Sequence, residues 1–309
     1  MKLSLFDLHC DTAYEMLRTE QSLTSNSLKV SLERARVFQA YTQVMAHWTD
    51  NKIDNETGWQ QFLAIRKHLE ADAAIQTGTA RIGFDDSPSD PSTVTLLLAV
   101  EDARILAGKL ERVDRLYQEG IRILTPLWKG LTCIGGSHDT DEGLTDFGKA
   151  ALERACDLGM ILDISHASER SASEIFEIAE RYHRPVIASH SNAFTVCPVS
   201  RNLRDRQIKR ILACDGVIGL NLHTAFLRTD RIPSVRDVLP HVEHFLEMGA
   251  EDALCLGCDM DGCDLPPDLP DLASLPVLAE ELLKRNYPES LIQKIFFQNA
   301  TRFATTYLH

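Results

Sequence analysis

In the segment Asp7-Leu8-His9-Cys10-Asp11, His9 and Asp11 lie two residues apart, so an extended chain carries their imidazole and carboxylate on one face as a ready chelate for a metal ion. Glu101, His166, His190 and Asp259 each stand at or just beyond the end of a short apolar run. Together these positions offer three imidazoles and three carboxylates, more donors than the three protein ligands of a mononuclear catalytic zinc site. The excess points to two divalent metal ions bridged by a shared carboxylate, with zinc the natural choice for a mixed imidazole and carboxylate set. Taken singly, each residue reads as a hydrogen-bonded structural group. The chemistry depends on their convergence.

Convergence requires a scaffold that brings separate strand ends to one rim. Eight apolar runs rich in β-branched residues alternate with amphipathic stretches: Leu3 to His9, Val37 to Met45, Val94 to Glu101, Ile121 to Leu127, Met160 to Ser165, Pro185 to His190, Val217 to Leu222 and Leu254 to Asp259. Eight parallel strands with intervening helices predict an α/β fold, the (β/α)8 TIM barrel, whose active sites form at the C-terminal ends of the strands. The helices are legible from apolar spacing. Thr145 caps one that runs through Leu158 and buries Phe147, Ala151, Leu152 and Ala155; Ser171 to Tyr182 buries Ile175, Phe176, Ile178 and Ala179. Val235 to Met248 and the segment from Pro288 onward are read in the same way, the latter through Leu291, Ile295 and Phe296. The polar stretch Thr79 to Ser92 reads as a surface loop, and residues 1–309 as a single domain.

The 309 residues, 44% hydrophobic and 25% charged, have the composition of an ordinary globular enzyme rather than a disordered chain. A formal charge of −13 repels phosphate backbones and anionic headgroups, so neither nucleic acid nor a membrane surface is an expected partner. No apolar segment is long enough to span a bilayer, and Asp7 interrupts the first apolar run before it could serve as a signal peptide. The eight dispersed cysteines suit reduced thiols, and a cytoplasmic location is expected. Cys255 and Cys258 have metal-knuckle spacing, but no second pair exists and the two would face opposite sides of a strand.

The chain resembles the membrane dipeptidase (renal dipeptidase) family of binuclear zinc peptidases. The resemblance rests on Asp7-Leu-His-Cys-Asp11, Val100-Glu101, Glu142 to Gly148, Leu158 to His166, Ser189-His190-Ser191, Ser200-Arg201-Asn202, Gly257 to Gly262 and the Asn299 to Arg302 tail. It implies a zinc-dependent dipeptidase in which His9 and Asp11 hold one zinc, His166 and His190 the other, and Glu101 bridges both. It further implies that Arg201 grips the substrate carboxylate through its planar fork, and that Asp259 passes a proton from a metal-bridging hydroxide toward the leaving amine. A small dipeptide is the implied substrate, and a homodimer the implied assembly.

One slot departs from the family pattern. Where relatives carry a histidine that reaches the scissile carbonyl, this chain has Pro126, which has no side-chain donor. Either His138 supplies the contact from the following loop, or the metals alone stabilise the oxyanion. The same departure supports an alternative function, a metal-binding barrel that acts on another amide such as an N-acyl amino acid or has lost peptidase action. His223 borders the predicted mouth as a substrate-pocket residue, and Trp48, Trp128 and Phe226 are read as core or pocket wall. Asp7, Asp163 and Asp261 are candidates to orient ligand histidines, with a structural role equally open. His47, His68, His183, His241, His244 and His309 are read as surface or structural.

Overall fold

The computed structural model describes residues 2–84 and 93–308. Its strands are β1 (Leu5–Cys10), β2 (Tyr41–Trp48), β3 (Ala80–Ile82), β4 (Val94–Glu101), β5 (Ile121–Thr125), β6 (Ile161–Asp163), β7 (Val186–Ile187), β8 (Ile218–Leu220) and β9 (Leu254–Leu256). All pair in parallel, in the order β7-β6-β5-β4-β2-β1-β9-β8, with β3 added against β4 outside that path. The remaining seam, between β7 and β8, is closed by a parallel bridge from Ala188 to Ile218, in which the Ala188 amide donates to the Val217 carbonyl at 3.0 Å. The architecture is thus a nearly closed eight-strand parallel barrel with helices outside, as the apolar runs predict.

Alternation along each strand sorts side chains between two cores. On β4, Leu96, Leu98 and Val100 pack under the helices, whereas Leu97 and Ala99 fill the barrel with Phe6, Leu8, Ile123, Ile161, Ile187 and Val217. The C-terminal helix Asn299–Tyr307 contributes Phe303 and Ala304 to that same interior cluster and so stoppers the end opposite the rim. Above the apolar filling the interior becomes small and polar. A Cβ on Gly257 would lie 1.8 Å from the Ser189 carbonyl oxygen, so the backbones meet there with no room for a side chain.

Several boundaries differ from the sequence expectation. The second strand starts at Tyr41, because Val37 is 50% exposed and belongs to the approach to the strand. Part of the stretch from Thr79 to Ser92 is strand β3, an added edge strand whose three residues are too few to register as a periodic run; residues 85–92 lie outside the described residues. The stretch from Val235 divides into a 3-10 turn, Val235–Asp237, and a helix, Leu239–Glu247, with Pro240 in the helix's first turn. The last helical segment carries a π-helical turn at Lys294–Gln298. Thr145 does cap its helix, accepting from the Gly148 amide, although Phe147 is only half-buried.

Candidate active site

β1 ends in His9 and Cys10 and turns at once into helix Thr12–Thr19, which leaves Asp11 at the junction. β4 ends in Glu101, an inward position two residues past Ala99, and the residues following β6, β7 and β9 supply His166, His190 and Asp259. The separate strand ends meet. His9 Nε2 lies 3.5 Å from Glu101 Oε2, 3.8 Å from Asp11 Oδ2 and 3.9 Å from Asp259 Oδ1. His166 Nε2 lies 2.8 Å and His190 Nε2 3.4 Å from Glu101 Oε1. Two donor groups have the compactness a metal requires, His9 with Glu101 and His190, and His9 with Asp11 and Asp259. His166 and Asp259 adopt left-handed backbone, with φ of 66° and 60°, a strained state that recurs at functional sites.

The hydrogen bonds around the two later histidines fix their tautomers. His166 Nδ1 faces the Trp128 carbonyl at 3.1 Å, which only accepts, so the ring proton sits on Nδ1. His190 Nδ1 meets Ser189 Oγ at 2.7 Å, and that hydroxyl already donates to Asp163 Oδ2 at 2.5 Å, so His190 too carries its proton on Nδ1. The two Nε2 atoms, 3.0 Å apart, therefore present bare lone pairs to each other and to the Glu101 carboxylate. Burial, with Arg201 and a charged His9 adding, pushes both imidazoles well below their ordinary pKa, whereas at His9 burial is outweighed by the Glu101 and Asp11 carboxylates, which raise it well above. His9 Nε2, Asp11 Oδ1 and Glu101 Oε1 are buried and make no hydrogen bond within the protein. Burial also lifts Glu101 to about 7, so an ionised carboxylate here needs a cation beside it. Acceptors converging on acceptors fit bound divalent metal ions.

A cavity of about 530 Å³ opens above this cluster. Asp11, Glu101, His166 and Asp259 form its floor, with Trp48, Trp128, His138, His223 and Phe226 on the walls. His138 sits beside the cluster, its ring centre 5.9 Å from that of His166 and its Nδ1 3.0 Å from Ser200 Oγ; burial and then Arg201 lower it to about 4. Pro126 is buried away from the cavity wall, its carbonyl accepting from the Ala103 amide. Arg201, 4% exposed, donates to Ser191 Oγ and the His190 carbonyl, while its Nε has no protein partner. His223 caps a short helix and lies edge-on to Phe226.

The three candidate orienting carboxylates separate. Asp163 supports His190 through Ser189 and also accepts from Thr125 Oγ and the Ser165 amide. Asp7 instead receives the Cys258 amide at 2.8 Å, and Asp261 receives Thr12 Oγ1 and the Lys29 amide; neither is bonded to a histidine ring. His47 and His241 are buried structural groups; His309 lies outside the described residues. Cys255 faces the barrel interior and Cys258 the outer core, and neither joins a metal-ligating group among the described residues. Sequence reasoning quoted Ser189 and Gly262 within motifs but gave them no role, and passed over Asn221. Asn221 could have been noticed as an amide inside the apolar run Val217 to Leu222.

Residues 1–307 match the model of the family described as membrane dipeptidase, Peptidase family M19. The uncharacterised protein in the pqqA 5′ region of Klebsiella pneumoniae is 32% identical over 257 residues, which span 79% of this chain and 93% of that one. Dipeptidase 3 of Macaca fascicularis is 27% identical over 252 residues, which amount to 79% of this chain and only half of that longer relative. A metallo peptidase from Rhodobacter sphaeroides, crystallised with a phosphinate mimic of the dipeptide L-Ala-D-Ala, superposes with a TM-score of 0.89 at 25% identity over the whole of both chains.

Proposed function

The chain belongs to the membrane dipeptidase family of metallopeptidases, hydrolases that act on peptide bonds, and we propose that it cleaves small dipeptides with the help of two zinc ions held at the barrel rim. The observation that carries this reading is the meeting of bare imidazole lone pairs and a buried carboxylate at one point. We assign His9 and Asp11 to one ion, His166 and His190 to the other, and Glu101 to both. Bound there, such a pair would lower the pKa of a water so that hydroxide is available near neutral pH, and would polarise the scissile carbonyl. Arg201 receives the substrate's free carboxylate, Asp259 carries the proton of the attacking hydroxide to the leaving amine, and neutral His138 stands in for the histidine that Pro126 replaces. Residues 1–309 act as one catalytic domain. Among the described residues no helix is long and apolar enough to cross a membrane, and eight free thiols suit a reducing compartment such as the cytoplasm.

The test is release of free amino acids from a panel of L,L and L,D dipeptides, with N-acyl amino acids alongside. Turnover on dipeptides that disappears in Asp259→Asn while the variant stays folded supports the assignment. Cleavage of N-acyl amino acids alone favours the other amide-hydrolase reading.

A further inference from the structure

Asp259 has two carboxylate oxygens and only one faces the metal-ligating cluster. Oδ1 is the atom 3.9 Å from His9 Nε2, whereas Oδ2 accepts a 3.0 Å hydrogen bond from Asn221 Nδ2. Asn221 is itself fixed on every side. Its Nδ2 also donates to the His190 carbonyl at 3.2 Å, and its Oδ1 accepts the His223 amide at 2.6 Å, so the side-chain amide cannot flip without losing all three bonds. Its backbone is clasped by Asn192, whose Oδ1 accepts the Asn221 amide at 3.1 Å and whose Nδ2 donates to the Asn221 carbonyl at 2.8 Å. This paired strap lies just above the β7–β8 seam, which backbone bonds at Ala188, Gly219 and Ser191 hold together. The His190 carbonyl that Asn221 holds also receives Arg201 Nη2. One buried amide therefore joins the proton carrier, a metal-ligating residue and the carboxylate clamp.

We propose that Asn221 is a positioning residue for the hydrolysis: its amide locks Asp259 in the one rotamer that turns Oδ1 toward the attacking hydroxide and the leaving nitrogen. The inference rests on the role assigned to Asp259 above. A carboxylate free to rotate would divide its time between orientations, and proton delivery would suffer while substrate binding would not.

The deciding comparison uses the metal-loaded enzyme with a dipeptide and its thioester analogue, which has the same carboxylate but a thiolate that leaves without being protonated. Asn221→Asp keeps the acceptor for His223 and removes the donor to Asp259; Asn221→Ser removes the amide without adding charge. Each variant should lower kcat for the dipeptide about 30-fold or more and for the thioester about fivefold or less, with KM within about threefold and metal content unchanged. Equal loss on both substrates, loss of metal in both variants, or unchanged dipeptide turnover would overturn the proposal. Asp259→Asn distinguishes the two levels of inference. If that variant lowers dipeptide and thioester turnover alike, the role of Asp259 itself is wrong; if it lowers dipeptide turnover selectively while the Asn221 variants do not, only the positioning role falls.

Discussion

Gly262 lies so close to the cluster that a Cβ would stand 1.9 Å from Asp11 Oδ2 and 2.5 Å from Asp259 Oδ1. Gly262→Ala should therefore displace Asp11 and Asp259, the proposed ligand and proton carrier, together, costing at least about 100-fold in kcat/KM, as expected when catalytic groups shift by an ångström. Steady-state kinetics alongside a thermal melt checks this, and an active alanine variant would mean that the loop moves freely. Arg201 makes a different prediction, because it is buried and its Nε has no protein partner. Arg201→Ala should raise KM for free-carboxylate dipeptides about 10- to 100-fold, the equivalent of one charge-assisted hydrogen-bonded pair, and spare C-terminally amidated ones. Equal damage to both substrates would contradict a carboxylate clamp. The ionisable residues of the site were legible because each sits where an apolar run stops. Ser189 and Asn221 were not, since an uncharged polar residue in an apolar run has many ordinary uses and only its partners reveal the one that applies.

Between residues and fold lie the elements that carry them, and here histidine charge matters outside the metal-ligating cluster. His241 on helix Leu239–Glu247 accepts the Ala193 amide at Nδ1 and meets the Leu227 carbonyl at Nε2, so it ties the loops after β7 and β8 to that helix. Burial lowers it to about 4. Because the unfolded imidazole titrates near its ordinary value, the unfolded chain binds more protons between those two points, and the bond is fully stabilising only above about pH 6.5. His241→Gln should then be destabilising at pH 7 by about 1–2 kcal/mol in urea unfolding, with the gap to the parent shrinking by pH 5. A gap that stays constant with pH would show that the ring titrates equally in both states. Helix caps such as Thr145 were readable because side-chain capping is local. Strand β3 and the π-helical turn were not, because one is a three-residue addition to an edge and the other changes the hydrogen-bond step without changing which residues are apolar.

At the scale of the molecule, the barrel separates stability from chemistry along its axis. Phe303 of the last helix is 1% exposed within the interior cluster, on the side of the barrel away from the rim. Phe303→Ala should cost about 3–5 kcal/mol of stability, the usual penalty for such a buried aromatic, and leave kcat of the folded enzyme unchanged. Chemical denaturation and activity measured well below the transition test the two halves of that statement. Eight strands were countable from the sequence because inward and helix-facing positions are both apolar, which makes each strand a short continuous run. Closure of the barrel was expected, but the means by which the seam between β7 and β8 closes was hidden, since it depends on backbone bonds at Ala188, Gly219 and Ser191 and on asparagines outside the strands.

The most direct measurement is the metal content of purified protein, compared with that of Glu101→Gln and followed by dipeptide turnover on the same samples. About two zinc ions per chain with turnover, falling below one with no turnover when the bridging carboxylate loses its charge, is the expected result. A folded protein that takes up no metal even with zinc added would contradict the reading of the cluster as a binuclear centre.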